Sequence, residues 1–256
     1  MIKRLKIGIL IREFDNLSNW ELRIIEKIMS DEYFELRLLI KDGRYGKESP
    51  GNFWYRLKNS FKTKKVLSTL IFKVQVIIEN FLFPQPFTVK IDSIIKNLSS
   101  TETIKLKPIR KGYVDFFSSN DAKIVSKFDL DVILRHEFNI IRGDILKSAK
   151  YGIWSFHHGD NAINRGGPPS FWEIILKQPT IGVTLQQLTP ELDGGLVIDK
   201  AYYNKHWSFI KSKSMVFEAS VNLLFKNLKL LKFKEYNPKK STVYFNPLYK
   251  LSLIHI

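Results

Sequence analysis

A chain of 256 residues with 44% apolar content can bury one large hydrophobic core or two small ones. It has no cysteine, which excludes disulfides and thiolate chemistry, and no H-E-x-x-H spacing, so no metal is expected. The net charge of +16 is unevenly placed: residues 43–112 hold 14 Lys and Arg against 4 Asp and Glu, and residues 205–240 hold 9 Lys against 2 Glu. That balance suits phosphorylated substrates, anionic lipid or nucleic acid, and equally a solvated lysine-rich surface. No apolar run reaches the roughly 18 residues of a transmembrane helix. The apolar start at Met1–Ile11 meets Arg12-Glu13 without a small-residue cleavage site, so it reads as a strand and the expected compartment is the cytoplasm.

Lys6–Ile11 is a continuous apolar strand. Trp20, Ile24, Ile25 and Ile28 repeat at helical spacing, with Ser18 or Asn19 as cap. Phe34–Ile40 is a second strand, and the strand–helix–strand order predicts a parallel αβ sheet. No G-x-G-x-x-G follows the first strand, so the dinucleotide-binding reading lacks its main support. Residues 53–83 show a helical apolar repeat, with Lys58, Lys62, Lys64, Lys65 and Lys73 on the other face. Such a basic helix either packs on its own domain, the commoner fate, or lies on an anionic membrane surface. Thr103–Leu106, Asp131–Leu134, Ile153–Phe156, Gly182–Leu188 and Val197–Tyr203 read as strands. Asn120–Lys127 and Ser214–Phe233 read as helices, as does Pro169–Lys177 with Trp172, Ile175 and Leu176 inward.

The chemistry-bearing types cluster after these later strands. Ser155-Phe-His157-His158-Gly-Asp-Asn161 ends one strand, and Arg165-Gly166 and Leu192-Asp193-Gly-Gly195 occupy turns. Imidazoles and carboxylates on glycine-permitted loops are what an active site at the carboxyl edge of an αβ sheet needs. Simpler roles compete for several of them. His158 suits a turn, Asp160-Asn161 an Asx-turn, Arg165 a turn anchor or a phosphate contact, and the glycines special backbone geometry.

Ser155-Phe-His157, Arg165-Gly166, Trp172-Glu173, Gly182-Val-Thr184 and Leu192-Asp193-Gly-Gly195 together resemble the core signature of the folate-dependent formyltransferases. The likeness is specific over about residues 131–203, weaker over 1–42 and absent over 43–112. It implies a Rossmann-like, mostly parallel sheet flanked by helices. It also implies transfer of a formyl group from N10-formyltetrahydrofolate to a primary amine. The roles it carries over are proton handling and oxyanion binding by His157 and Asp193, with Ser155 standing where the motif has Asn. A hydroxyl reaches less far than an amide, so Ser155 needs a water or a helper, for which Asn161, His158 and His136 are candidates. The pterin would lie between the loops Arg135–Ile141 and Gln187–Asp193, which nominates Phe138, Ile140, Ile141, Leu188 and Glu191 beside His136, Arg165 and Gly166.

The domain plan expected is a formyltransferase-like αβ unit over 1–210, with a basic helical insertion at about 45–100 and a helical extension over 211–250. Leu251–Ile256 is a poor natural terminus and reads as a sequence artefact. The acceptor expected by elimination is the amino sugar of a nucleotide- or lipid-linked glycan precursor, a phosphorylated small molecule. The short region after Met215 argues against the barrel of the tRNA enzymes, and no specific nucleic acid is expected. Two rivals are a formyl-folate hydrolase and an inactive binding module whose working surface is the basic helix, through peripheral membrane contact or through nucleic acid.

Overall fold

The computed structural model describes residues 3–14, 17–44, 66–84, 91–98, 101–163, 169–190 and 195–233. β1 (Leu5–Ile11), α1 (Asn19–Ser30) and β2 (Phe34–Asp42) form the opening unit, and its strands pair in parallel. α2 (Val66–Leu82) and α3 (Ile91–Leu98) precede β3 (Glu102–Leu106), which pairs in parallel with β2. Then come β4 (Ile109–Lys111), β5 (Val114–Phe116), α4 (Ser119–Ser126), β6 (Val132–Arg135) and β7 (Ile140–Arg142). β8 (Ile153–His157), α5 (Phe171–Ile175), β9 (Thr180–Gln187), β10 (Leu196–Asn204) and α6 (Phe209–Lys232) follow.

Seven strands make one sheet in the order β10-β9-β8-β6-β1-β2-β3, with β4-β5-β7 as a small second sheet. β3, β2, β1, β6 and β8 are parallel, β9 is antiparallel to β8, and β10 is antiparallel to β9. This is the mostly parallel, Rossmann-like sheet expected from the alternation of elements. β1 carries apolar residues on both faces because both faces are covered. Ile7, Ile9 and Ile11 join one core with α1 and α6, and Leu10 joins another with Ile133, Ile141 and Ile153.

α1 starts where its cap lies: the Glu21 carboxylate accepts from the Ser18 backbone N–H at 2.9 Å and the Ser18 hydroxyl at 2.5 Å. It buries Leu22, Ile24, Ile25 and Ile28 against the sheet. α6 covers the same face with Val216, Leu224, Leu228 and Leu231, so it is part of the main core.

Two helices depart from the sequence reading. α2 is apolar on both sides: Phe72 and Val76 pack on Phe171, Phe209 and Ile210, while Ile71, Ile77 and Phe81 face solvent. Lys58, Lys62, Lys64 and Lys65 lie outside the described residues. α5 is only five residues long and buries Phe171 and Glu173, with Trp172 half-buried and Ile175 and Leu176 exposed, contrary to the expected inward face. One and a half turns cannot hold the 3.6-residue register that the longer helix would have kept. The small sheet has no sequence signal because its strands are three residues each.

Candidate active site

β6 and β8 end side by side, with Leu134 opposite Trp154, and β9 runs back past β8 with Gln186 opposite Ser155 and Thr184 opposite His157. Strand alternation then sorts the side chains. Ser155 and His157 point to one face with Ile153, and Trp154 and Phe156 to the other, where His158 follows them. On the first face lies a small open cleft. Arg135, Ile140, Ile141, Arg142, Ser155 and His157 line one part of it, and Gln186, Leu188, Thr189 and Gly195 another.

The cleft's chemistry follows from those residues. Among the described residues its lining contains two arginines and no carboxylate, and those residues favour anionic ligands. Arg135 donates to the Asn139 carbonyl at 3.1 Å. Arg142 donates to the Ile141 and Thr189 carbonyls at 3.1 and 3.3 Å, tying the loop after β9 to β7. Ser155 is 2% exposed, and its hydroxyl makes one long bond, 3.4 Å to the Phe156 carbonyl, which leaves it weakly committed. Gln186 is 7% exposed, and its buried Oε1 has no partner. A buried amide in that condition at a cleft wall is poised for a ligand. Gly195 leaves room for it: a Cβ there would stand 3.3 Å from Gln186 Oε1 and 2.7 Å from the Gln187 carbonyl. At Gly159 a Cβ would meet His157 Nε2 at 3.3 Å and Glu173 Oε1 at 3.5 Å, so an imidazole and a buried carboxylate converge on that glycine.

The turn behind His157 is fixed by Asp160. Its carboxylate accepts from Lys200 Nζ at 2.6 Å, Tyr202 Oη at 2.8 Å and the Ala162 N–H at 2.9 Å, the last closing an Asx-turn. Burial alone would raise this carboxyl, but the Lys200, Ala162 and Tyr202 bonds outweigh it and hold it below the ordinary range. Burial, then the bond to Asp160, push Tyr202 up to about 12.

Of the residues nominated from sequence, Ser155, His157, Ile140, Ile141 and Leu188 line the cleft together. Four others do not. His158 is on the far face of the sheet, caged by Trp20 at 5.2 Å, Phe217 at 5.0 Å and Phe156 at 5.8 Å. Burial, and next the neighbouring His157, lower its pKa to about 3. His136 is 2% exposed and its Nδ1 sits 3.2 Å from Glu21, under α1. Phe138 packs on Phe117 in the core at 5.7 Å. Asn161 is buried in the Asp160 turn. His136 and His158 therefore do not reach the cleft as helpers of Ser155: each precedes or follows a cleft-facing residue by one position, which reverses its face. Asp193, Arg165, Gly166 and Glu191 lie outside the described residues.

Sequence reasoning missed Arg135, Arg142 and Gln186. For Gln186 a signal existed in its spacing, since alternation from buried Val183 and Leu185 turns residue 186 to the opposite face. Which strand stands beside it was not readable. Chemically, the arrangement lines one cleft with an imidazole, a hydroxyl and an amide. Such donors can stabilise negative charge developing on an oxygen.

No protein-family model matches the sequence, and no curated protein matches it. Solved structures match the fold. A glycinamide ribonucleotide transformylase from Symbiobacterium toebii superposes with TM-score 0.56 at 11% identity, over 90% of this chain and 89% of that one. An N-formyltransferase from Helicobacter canadensis, in complex with folinic acid and dTDP-3-aminofucose, gives TM-score 0.55 at 12% identity, over 96% of this chain and 70% of that one. A formyltetrahydrofolate deformylase from Pseudomonas syringae gives 0.56 at 12% identity, over 91% and 62%. The chain thus has the formyltransferase fold, and that fold is shared by proteins with different acceptors.

Proposed function

We propose that this chain transfers a formyl group from N10-formyltetrahydrofolate to a primary amine, and that the amine belongs to an amino sugar on a nucleotide- or lipid-linked glycan precursor. The observation that carries the reading is the cleft at the carboxyl ends of β6 and β8, where Ser155 and His157 stand together on this particular fold. Its residues suit a folate: Ile140 and Leu188 give an apolar edge for a flat ring, and Arg135 and Arg142 suit a carboxylate or diphosphate. A bound formyl-folate supplies the one-carbon unit.

The chain's own residues handle charge and protons. As an amine adds to a formyl carbon, His157 donates to the oxygen that becomes negative. Ser155 alone gives a short-armed second donor, and the Gln186 amide opposite it, whose Oε1 has no partner, donates through Nε2 once the amide turns to face the oxygen, standing in for the carboxamide that the motif has at position 155. Asp193, by the resemblance of its turn, takes the proton released by the amine; as the tetrahedral adduct collapses the carbon–N10 bond breaks and that proton passes to N10, which leaves the formamide and tetrahydrofolate as products.

The test is incubation with N10-formyltetrahydrofolate and a panel of amino-sugar nucleotides. His157→Ala and Asp193→Asn should abolish transfer, and transfer that survives both refutes the assignment. Gln186→Ala should cost about 10²–10³ in turnover, and Ser155→Asn in that background should restore part of it. Formate release without any amine would instead make water the acceptor.

A further inference from the structure

We infer that Glu173 receives the amino group of the acceptor beside His157 and so selects an amine over a hydroxyl or water; this rests on the formyl-transfer reading above. Glu173 is 3% exposed, and among the described residues no group is bonded to its carboxylate. The sequence offers it an ordinary role that the fold does not use. Ser-x-x-Glu or Ser-x-x-Asp opens three of the described helices. At α1 the Glu21 carboxylate turns back to accept the Ser18 N–H at 2.9 Å, and at α4 the Asp121 carboxylate accepts the Ser118 N–H at 2.8 Å. At α5 Ser170 stands three residues before Glu173, yet no cap bond forms. Ser170 has a φ of 67°, and its fully buried hydroxyl has no partner. The Glu173 carboxylate is directed instead toward Gly159.

Gly159 is glycine for space. Its φ lies outside the left-handed region, so its backbone does not require one. A Cβ there would stand 3.3 Å from His157 Nε2 and 3.5 Å from Glu173 Oε1, and would cover both atoms. Its loop is held in place: the Thr184 hydroxyl donates to the Gly159 carbonyl at 3.0 Å, and Asp160 is anchored by Lys200 and Tyr202. A formyl oxygen held by Nε2 thus has a buried carboxylate beside it for the nitrogen that attacks. Charge selects that nitrogen. A buried carboxylate without a partner is costly, and an arriving cation offsets the cost. An alkyl amine reaches the site as an ammonium, whose bond to a carboxylate is charge-assisted. A hydroxyl or water is a neutral donor and leaves the charge uncompensated. Arg135 and Arg142 in the cleft have the wrong sign for an ammonium, whereas Glu173 has the right one. The ammonium releases its extra proton to solvent before attack, and the neutral amine keeps an N–H toward Glu173.

The experiment is steady-state transfer from N10-formyltetrahydrofolate to the amino-sugar nucleotide that the wild-type chain formylates fastest, with the hydroxyl analogue of that nucleotide as competitive inhibitor. Glu173→Gln keeps size and shape and removes the charge. It should raise the KM of the amine about ten- to a hundredfold, and leave the KM of the folate and the inhibition constant of the hydroxyl analogue unchanged. Glu173→Asp should restore part of the loss, and thermal melting should be the same for all three chains. Gly159→Ala should also raise the KM of the amine, because its methyl covers both atoms. An unchanged amine KM in Glu173→Gln, or equal weakening of the amine and the hydroxyl analogue, overturns the inference and leaves formyl transfer standing. A wild-type chain that formylates no amine overturns the reading beneath it, and the inference falls with it.

Discussion

At the residue scale, the consequential fact is that adjacent histidines serve opposite sides of one sheet. His157 opens on the cleft, whereas His158 is enclosed by Trp20, Phe156 and Phe217. The pair was legible as a chemical cluster, but nothing in a His-His dipeptide says which member faces a ligand. The strand's start fixes that, because each residue alternates from it. The cage has a thermodynamic signature. With a folded pKa of about 3, His158 stays neutral while the unfolded chain takes up a proton below its ordinary value of 6.5. Stability should therefore fall as pH drops from 6.5 toward 3, by about 1.4 kcal/mol per pH unit from this group. His158→Phe, which fills the cage without titrating, should remove that component. Denaturant unfolding at pH 7 and pH 5 measures it, and an unchanged slope in the variant would show that the cage does not hold the ring neutral.

At the scale of elements, helices prove stitched together by two buried carboxylates. Glu21 caps its own helix and also meets His136, and Glu79 of α2 caps α6 across 131 residues of chain. Ser208 begins α6 in extended conformation with its hydroxyl accepting the Lys211 N–H, and the Glu79 carboxylate adds a negative charge at that helix's positive end. Burial works to raise Glu79, but the Ser208, Ile210 and Gln75 bonds leave its pKa below the ordinary range. Its contribution is thus present above the unfolded value near 4.5 and lost as pH falls through the lower folded value. Glu79→Ala should cost about 2 kcal/mol at pH 7. Chemical denaturation reads the loss, and faster proteolysis within α2 would locate it there. Long elements such as α1, α6, β9 and β10 were legible because apolar periodicity accumulates over many residues. The three-residue strands β4, β5 and β7 were not, since they exist only through pairing.

At the scale of the molecule, β6, β8 and β9 bring residues 135, 155, 157 and 186 to one wall while α6 seals the opposite face. A folate bound in that cleft would bridge all three strands and stabilise the folded chain by mass action. Folinic acid at about 100 times its dissociation constant should add about 2.7 kcal/mol, which raises the melting temperature by about 5–10 °C. No shift at saturating ligand would mean that the cleft does not take a folate. The sequence by itself determined the αβ alternation, the parallel sheet and the stretch where chemistry gathers, because those follow from local periodicity and turn chemistry. Only the tertiary structure decided that Gln186 faces Ser155, that His136 and His158 turn away, and that α2 keeps an apolar stripe outside. Those are matters of which strands and helices become neighbours, and no local pattern encodes a contact made across dozens of residues.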